Sequence, residues 1–328
     1  MATALTGFLE NDRGGSRELI AEFIYGAEVG DASRVKYRTH LVAFTQWLFA
    51  NGSSPDTPVL LLATTADVHR FMGSLRAPDR VGGALSASTR KNYLGSLRSF
   101  YRYCASVGLV SADPTVPVRT PRVARTPGMH LTLEELRRLL SVNTDARDRI
   151  QTYLLVYTAA RSGELRLLRW RDVDFSARTI LVRGKRGRVR VIDIHPALAA
   201  ELRRWFVHQE VAAERSPVIA AARGNPETDF VLLTSCGNPV PASTFYRQLK
   251  RRACLAGLYP LERTGREYRS AVSPHALRRS FATLLLNDGH SIDAVADVLG
   301  HASLNTTRDH YAFSTSARRR ATIEAFGV

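Results

Sequence analysis

Residues 113–128 hold Pro114, Pro117, Pro121 and Pro127, interleaved with Arg119, Arg122 and Arg125. Proline lacks the backbone N–H and clashes with the preceding turn, so a run spaced this way cannot be helical and stays extended. The segment divides the chain, whose 328 residues exceed one average domain. It predicts a polar, Gly-rich tail over 1–17, a helical unit over 18–112, a stiff basic linker over 113–128 and a second unit over 129–328. The linker reads equally as a strap around an anionic partner and as a plain spacer.

Charge narrows the partner. Against 30 Asp+Glu stand 46 Lys+Arg, a net +16, and so one-sided an excess points to nucleic acid. A membrane surface fits less well: the basic residues are spread through folded-looking segments, not gathered on one amphipathic helix. No apolar run approaches a membrane span of roughly 20 residues. The start lacks the basic and apolar pattern of a secretory leader. Cys104, Cys236 and Cys254 have neither metal-ligand spacing nor the even number of a disulfide framework. These features predict an intracellular, cytoplasmic protein without a bound metal.

In the first unit, Tyr37, Leu41, Phe44 and Leu48 recur at helical spacing up to a stop at Asn51-Gly52, and Ala66–Leu75 is a shorter candidate. The strongest pattern is Ser88–Val107, where Tyr93, Leu94, Leu97, Phe100, Tyr101 and Cys104 form an apolar stripe. Its other face carries Arg90, Lys91, Arg98 and Arg102, either a solvated face or a DNA-backbone contact.

The second unit opens on a capping box, Thr132 to Glu135. Helices are predicted near 148–158 and from Ser162, the latter burying Leu165, Leu167 and Leu168. A hairpin of 179–182 and 189–194 follows, its tip holding Lys185, Arg186 and Arg188. Next come a helix over 196–209, an irregular insertion over 211–228, a third strand over 230–234 and a basic helix over 243–256. The fold class is therefore mainly α with a small β-sheet (α+β).

The region 273–311 carries the densest chemistry. Pro274 suits a first helical turn, and Leu277, Phe281, Leu284 and Leu285 recur at helical spacing, so His275 and Arg278, at i and i+3, share a face. Gly300 breaks the next short helix, and His301 and Tyr311 follow. Cations beside a hydroxyl suit attack on a phosphate.

The ordered set Arg161, Lys185, His275-x-x-Arg278, His301, Tyr311 resembles the tyrosine recombinases, the integrase superfamily. YTAARSGELRLLRWRDVDF is similar to that family's first arginine box, T-G-x-R-x-x-E-L-x-x-L-x-W-x-D. RGKRGRVRVIDI resembles its Gly-Lys hairpin, PHALRRSFAT its His-x-x-Arg box, and LGHASLNTT with Tyr311 its final box. Two departures stand out. Ala159-Ala160 occupy the Gly-x positions before Arg161. The nucleophile usually falls nine residues after the last histidine, whereas here the ninth is His310 and Tyr311 is the tenth.

The resemblance implies a helical, SAM-like core-binding domain and a C-terminal catalytic domain forming a C-shaped clamp around DNA, without a further arm-binding domain ahead of them. It implies a Xer-like site-specific recombinase that cleaves and rejoins DNA through a 3′-phosphotyrosine intermediate, for integration, excision or resolution, with no cofactor. In this reading Arg161 and Arg278 clamp the non-bridging oxygens bidentately, and Tyr311 is the nucleophile. His275 assists deprotonation, Lys185 protonates the 5′-oxygen, His301 orients the phosphate or the tyrosine, and Glu164 holds an arginine or histidine behind the site. Duplex DNA with paired inverted half-sites, a homo-tetramer and an accessory or partner recombinase are the implied partners, with Arg119, Arg122, Arg125, Arg186 and Arg188 as further DNA contacts. The alternatives are a type IB topoisomerase-like nicking–closing enzyme and a catalytically silent DNA-binding accessory protein.

Overall fold

A computed structural model describes residues 15–27, 29–53, 58–75, 85–123, 129–142, 144–184, 187–258, 262–264, 267–269 and 272–300. The chain divides into two compact units, the first ending at Arg125 and the second beginning at Thr126.

The first unit contains helices α1 (Ser16–Gly26), α2 (Asp31–Ala50), the single turn α3 (Val59–Leu62), α4 (Thr65–Ser74) and α5 (Ala87–Ser106). Helix therefore begins inside the expected tail, at Ser16. Thr64 starts α4 with a capping box closed by Asp67. The apolar stripe of α5 is the centre of the core: Leu94, Leu97, Phe100, Tyr101 and Cys104 pack against Leu41, Phe44 and Leu48 of α2. The Tyr101 hydroxyl is buried but donates to Leu60 O at 2.7 Å, so the ring enters the core without stranding its polar end. After α5, residues 114–117 turn, and Val118 is buried in this same core. Arg98 holds them there, donating to Val118 O at 2.6 Å and Thr120 Oγ1 at 2.8 Å. The first prolines thus fold onto the helical unit.

The second unit runs α6 (Leu133–Ser141), α7 (Ala146–Thr158), α8 (Ser162–Arg166), β1 (Val173–Asp174), β2 (Thr179–Arg183), β3 (Val189–Asp193), α9 (Pro196–Arg215) and α10 (Pro217–Arg223). It continues with α11 (Ala242–Leu255), β4 (Glu262–Thr264), β5 (Glu267–Arg269), α12 (Pro274–Asn287) and α13 (Ile292–Leu299). The sheet is antiparallel in the order β1-β2-β3, with Arg183 opposite Val189 at the loop end of the hairpin. Its third strand is β1, not 230–234. That segment makes only isolated bridges, Arg169 to Phe230 and Leu233 to Pro239, because Val231, Leu232 and Leu233 are consecutively buried and form no edge of the ladder.

Two further expectations are corrected. Leu167 is 57% exposed: α8 ends at Arg166, so the next residue leaves the helical face that buries Leu165 and Leu168. The supposed insertion is largely helical. α9 continues to Arg215, and Ser216 caps α10 with Pro217 in its first turn. Behind it, Arg223 meets Gln209, Glu210 and Asp229, and Glu227 pairs with Arg169 and Arg171. The segment buttresses the strand entry that follows the first arginine box.

Arg252 on α11 is the largest fully buried side chain. Its guanidinium caps the end of α6, donating to Leu139 O at 2.8 Å, Leu140 O at 3.1 Å, Val142 O at 2.7 Å and Thr144 Oγ1. Arg252→Met keeps the volume and removes every donor. We expect a loss of about 2–3 kcal/mol, measured by denaturant unfolding of the full chain. Unfolding at the wild-type midpoint would refute the capping role.

Candidate functional site

The site assembles around one carboxylate. Thr158 ends α7 and Ala159 takes a left-handed conformation, φ 48°, before Arg161 opens α8. Left-handed backbone costs a non-glycine residue roughly 1–2 kcal/mol, which explains a glycine at this place in the family pattern. Here the alanine methyl is fully buried beside Ala282, Leu286, Val295 and Leu299, and burying one carbon regains about 0.8 kcal/mol. Burial offsets about half of that cost.

Glu164, 8% exposed, turns back on its own helix start. Oε2 accepts the Arg161 backbone N–H at 2.9 Å and Oε1 accepts Arg161 Nη1 at 2.9 Å. Arg190 of β3 completes the group, donating Nη2 to Glu164 Oε2 at 2.8 Å. The expectation for Glu164 was an arginine or histidine behind the site; here its carboxylate accepts from Arg161 and Arg190. Burial alone would raise the Glu164 carboxyl, but bonds from Arg190 and the Arg161 backbone, with the Arg190 charge, hold it below the usual carboxylate value. Because the folded value is the lower one, this stabilisation is present at neutral pH and fades as pH falls through that value.

Arg278 approaches from α12, whose first turn is set by Pro274 and by the Ser273 hydroxyl accepting the Ala276 N–H. It is 4% exposed and donates Nη1 to Ala159 O at 2.6 Å and Nη2 to Leu299 O at 2.5 Å. The left-handed turn before Arg161 and the end of α13 are thus tied to one guanidinium. Gly300, φ 63°, terminates α13, and a Cβ there would lie 2.5 Å from Arg190 Cδ. Arg161, Glu164, Arg190, Arg278 and the Leu299-Gly300 turn are therefore neighbours, although the sequence scatters them. His275 is exposed in the first turn of α12, one turn before Arg278.

The hairpin that leads to Lys185 is fastened on both strands. Arg183 of β2 donates to Asp172 Oδ1 at 2.9 Å, and Gly184 N–H donates to Arg188 O at 2.7 Å. Lys185, Arg186, Arg125, His301 and Tyr311 lie outside the described residues. Of the other basic candidates, Lys91, Arg102, Arg119, Arg122 and Arg188 are exposed, Arg90 is half-buried, and Arg98 serves the fold as above. Sequence reading missed Arg190, which lies on strand β3 two residues after the basic tip. Its alternation with Val189 and Val191 pointed the other way, since the two valines are the exposed residues and Arg190 faces inward. Among the described residues no three His, Cys, Asp or Glu side chains converge as a metal site requires.

This fold is shared with enzymes solved on DNA. The XerH site-specific recombinase, in its post-cleavage complex with a palindromic difH substrate, matches with a TM-score of 0.66 at 24% identity, covering 89% of this chain and 80% of that one. The Tn1549 transposon integrase, in complex with transposon right-end DNA, gives a TM-score of 0.68 at 19% identity, covering 95% and 99%. In sequence, the tyrosine recombinase XerD of Mycobacterium leprae (strain TN) is 31% identical over 294 residues, 86% of this chain and 87% of the relative. XerC of Oceanobacillus iheyensis is 30% identical over 280 residues, 83% and 82% of the two chains. The phage integrase family profile matches residues 130–318. The chain belongs to the phage integrase family, and so to the tyrosine recombinases.

Proposed function

We propose that this chain is a site-specific DNA recombinase that cleaves and rejoins duplex DNA through a 3′-phosphotyrosine intermediate. The observation that carries the reading is that Arg278 ties the Ala159 carbonyl, two residues before Arg161, to the Leu299 carbonyl at the end of α13, while Glu164 holds Arg161 at the same α7–α8 turn. A guanidinium has five N–H donors, so holding carbonyls is compatible with donating to a phosphate.

Arg161 and Arg278 meet the non-bridging oxygens as charge builds there. The Tyr311 oxygen bonds to phosphorus, the bond from phosphorus to the 5′-oxygen breaks, and Lys185 gives that oxygen a proton. His275 helps remove the tyrosine proton, and His301 orients the phosphate. A free 5′-hydroxyl of a second strand then reverses the sequence and releases Tyr311. The phosphotyrosine bond keeps the energy of the one broken, so no nucleotide cofactor enters. The working assembly is a homo-tetramer on duplex DNA with paired inverted half-sites, in the cytoplasm on the nucleoid.

The test is covalent capture on a pool of nicked duplexes that lose a short fragment on cleavage. An SDS-resistant, protease-sensitive adduct enriched on one sequence is expected, and sequencing the captured DNA gives the site. An adduct spread over all sequences would favour the nicking–closing enzyme. Tight binding with no adduct would favour the silent DNA-binding protein.

A further inference from the structure

We infer that Arg190 is a positioning residue for strand cleavage, locking strand β3 of the Lys185 hairpin onto Glu164 and onto the Gly300 turn that leads to His301. The inference rests on the reading above, in which Arg161, Lys185 and His301 act on the phosphodiester.

Three segments depend on this one side chain. Its guanidinium bonds the carboxylate that fixes both the backbone and the side chain of Arg161. Its stem lies flat on Gly300, where an added Cβ would come within 2.5 Å of Cδ and 3.0 Å of Nε. A Cβ on Gly184, next to Lys185, would sit 3.4 Å from the same carboxylate, at Glu164 Oε1. A shift of Arg190 is therefore felt at Arg161, at the hairpin base and at the turn entering His301.

The other tie of the hairpin is weaker. Arg183, with its side chain 53% exposed, pairs with Asp172 under solvent screening, whereas the Arg190 side chain is 15% exposed against a Glu164 that is 5% exposed. Fold stability gives a poor account of an arginine here. Arg190 Nε is buried with no hydrogen-bond partner, a cost that an apolar side chain of similar length would avoid, and buried ion pairs often add little net stability. Preorganisation gives a better one, because a displacement of about 1 Å at a reacting group can cost about 10²-fold in rate.

The experiment uses the full chain with Arg190→Met, which keeps much of the stem, and Arg190→Lys, which keeps the charge. The probe is the nicked duplex recovered by capture with the wild type. At saturating DNA we expect adduct formation by Arg190→Met to fall about 10²-fold, with DNA affinity changed less than about threefold. Arg190→Lys should recover about tenfold of that loss, since an ammonium can hold Glu164 but lacks the planar fork. Hydrogen exchange over 187–193 and 297–300 should rise in Arg190→Met and stay nearer wild type in Arg190→Lys. A wild-type rate in Arg190→Met overturns the inference, as does a loss of affinity with the saturated rate unchanged. If Arg190→Met does not fold, Arg190→Lys carries the same test: a wild-type rate with raised exchange refutes the coupling. If the wild type itself forms no adduct, the recombinase reading has failed instead, and unchanged exchange in Arg190→Met would separately remove the lock.

Discussion

Tyr311→Phe is expected to abolish covalent capture, a loss of at least about 10⁴-fold, with DNA affinity within about twofold of wild type. Phenylalanine keeps the ring and removes only the oxygen proposed to attack phosphorus. A free tyrosine titrates near about 10, so the hydroxyl is a poor nucleophile unless nearby cations favour the phenolate, a role that fits Arg161 and Arg278. The measurement is an SDS gel of each protein on the captured duplex, beside a binding titration. The one-residue-longer spacing from His301 makes the result informative either way, because His310 occupies the position where the family's tyrosine usually stands. An adduct that persists in Tyr311→Phe and vanishes in a second variant, His310→Ala, would move the nucleophile to a histidine nitrogen. Such a phosphoramidate would be acid-labile where a phosphotyrosine is not.

Arg278→Lys is expected to lower the cleavage rate by about 10²–10³-fold and also to cost about 1–3 kcal/mol of stability. The two losses have different origins. An ammonium keeps the charge but cannot reach Ala159 O and Leu299 O together while facing a phosphate, so two buried carbonyls lose their donors. Arg161→Lys is the control: its side chain is 44% exposed and bonds within its own helix start, to Glu164. It should lose rate with little change in unfolding. Rates well below both melting temperatures, paired with denaturant unfolding, separate the effects. A wild-type rate in Arg278→Lys would refute the clamp.

Much of the architecture was legible because local pattern and tertiary demand agree. The stripe of α5, the capping box at Thr132, the hairpin strands and the start of α12 at Pro274 all follow from side-chain period and backbone chemistry, which a short window of sequence contains. The four ordered boxes also named the candidate side chains. The failures share one cause. Val231, Leu232 and Leu233 read as a strand, but consecutive burial is equally possible for a connection threaded through a core. Residues 211–223 lack a strong apolar stripe, and their helices are held by Trp170, Gln209 and Arg223, contacts that no window of sequence reveals.

The sequence by itself determined the order of the helices, the hairpin, the basic balance and the residue types that phosphate chemistry needs. The tertiary structure decided which arginine does which work. With 46 Lys+Arg in the chain, the boxes pick out Arg161 and Arg278, but spacing cannot show that Arg98 is spent on holding Val118 and Thr120, or Arg252 on capping α6. Nor can it show that Arg190 meets Glu164 across 26 positions or that Gly300 must lack a side chain to admit it. The reason is physical: the role of a guanidinium is set by which acceptors reach it and how much water is excluded, and both exist only once the chain has folded.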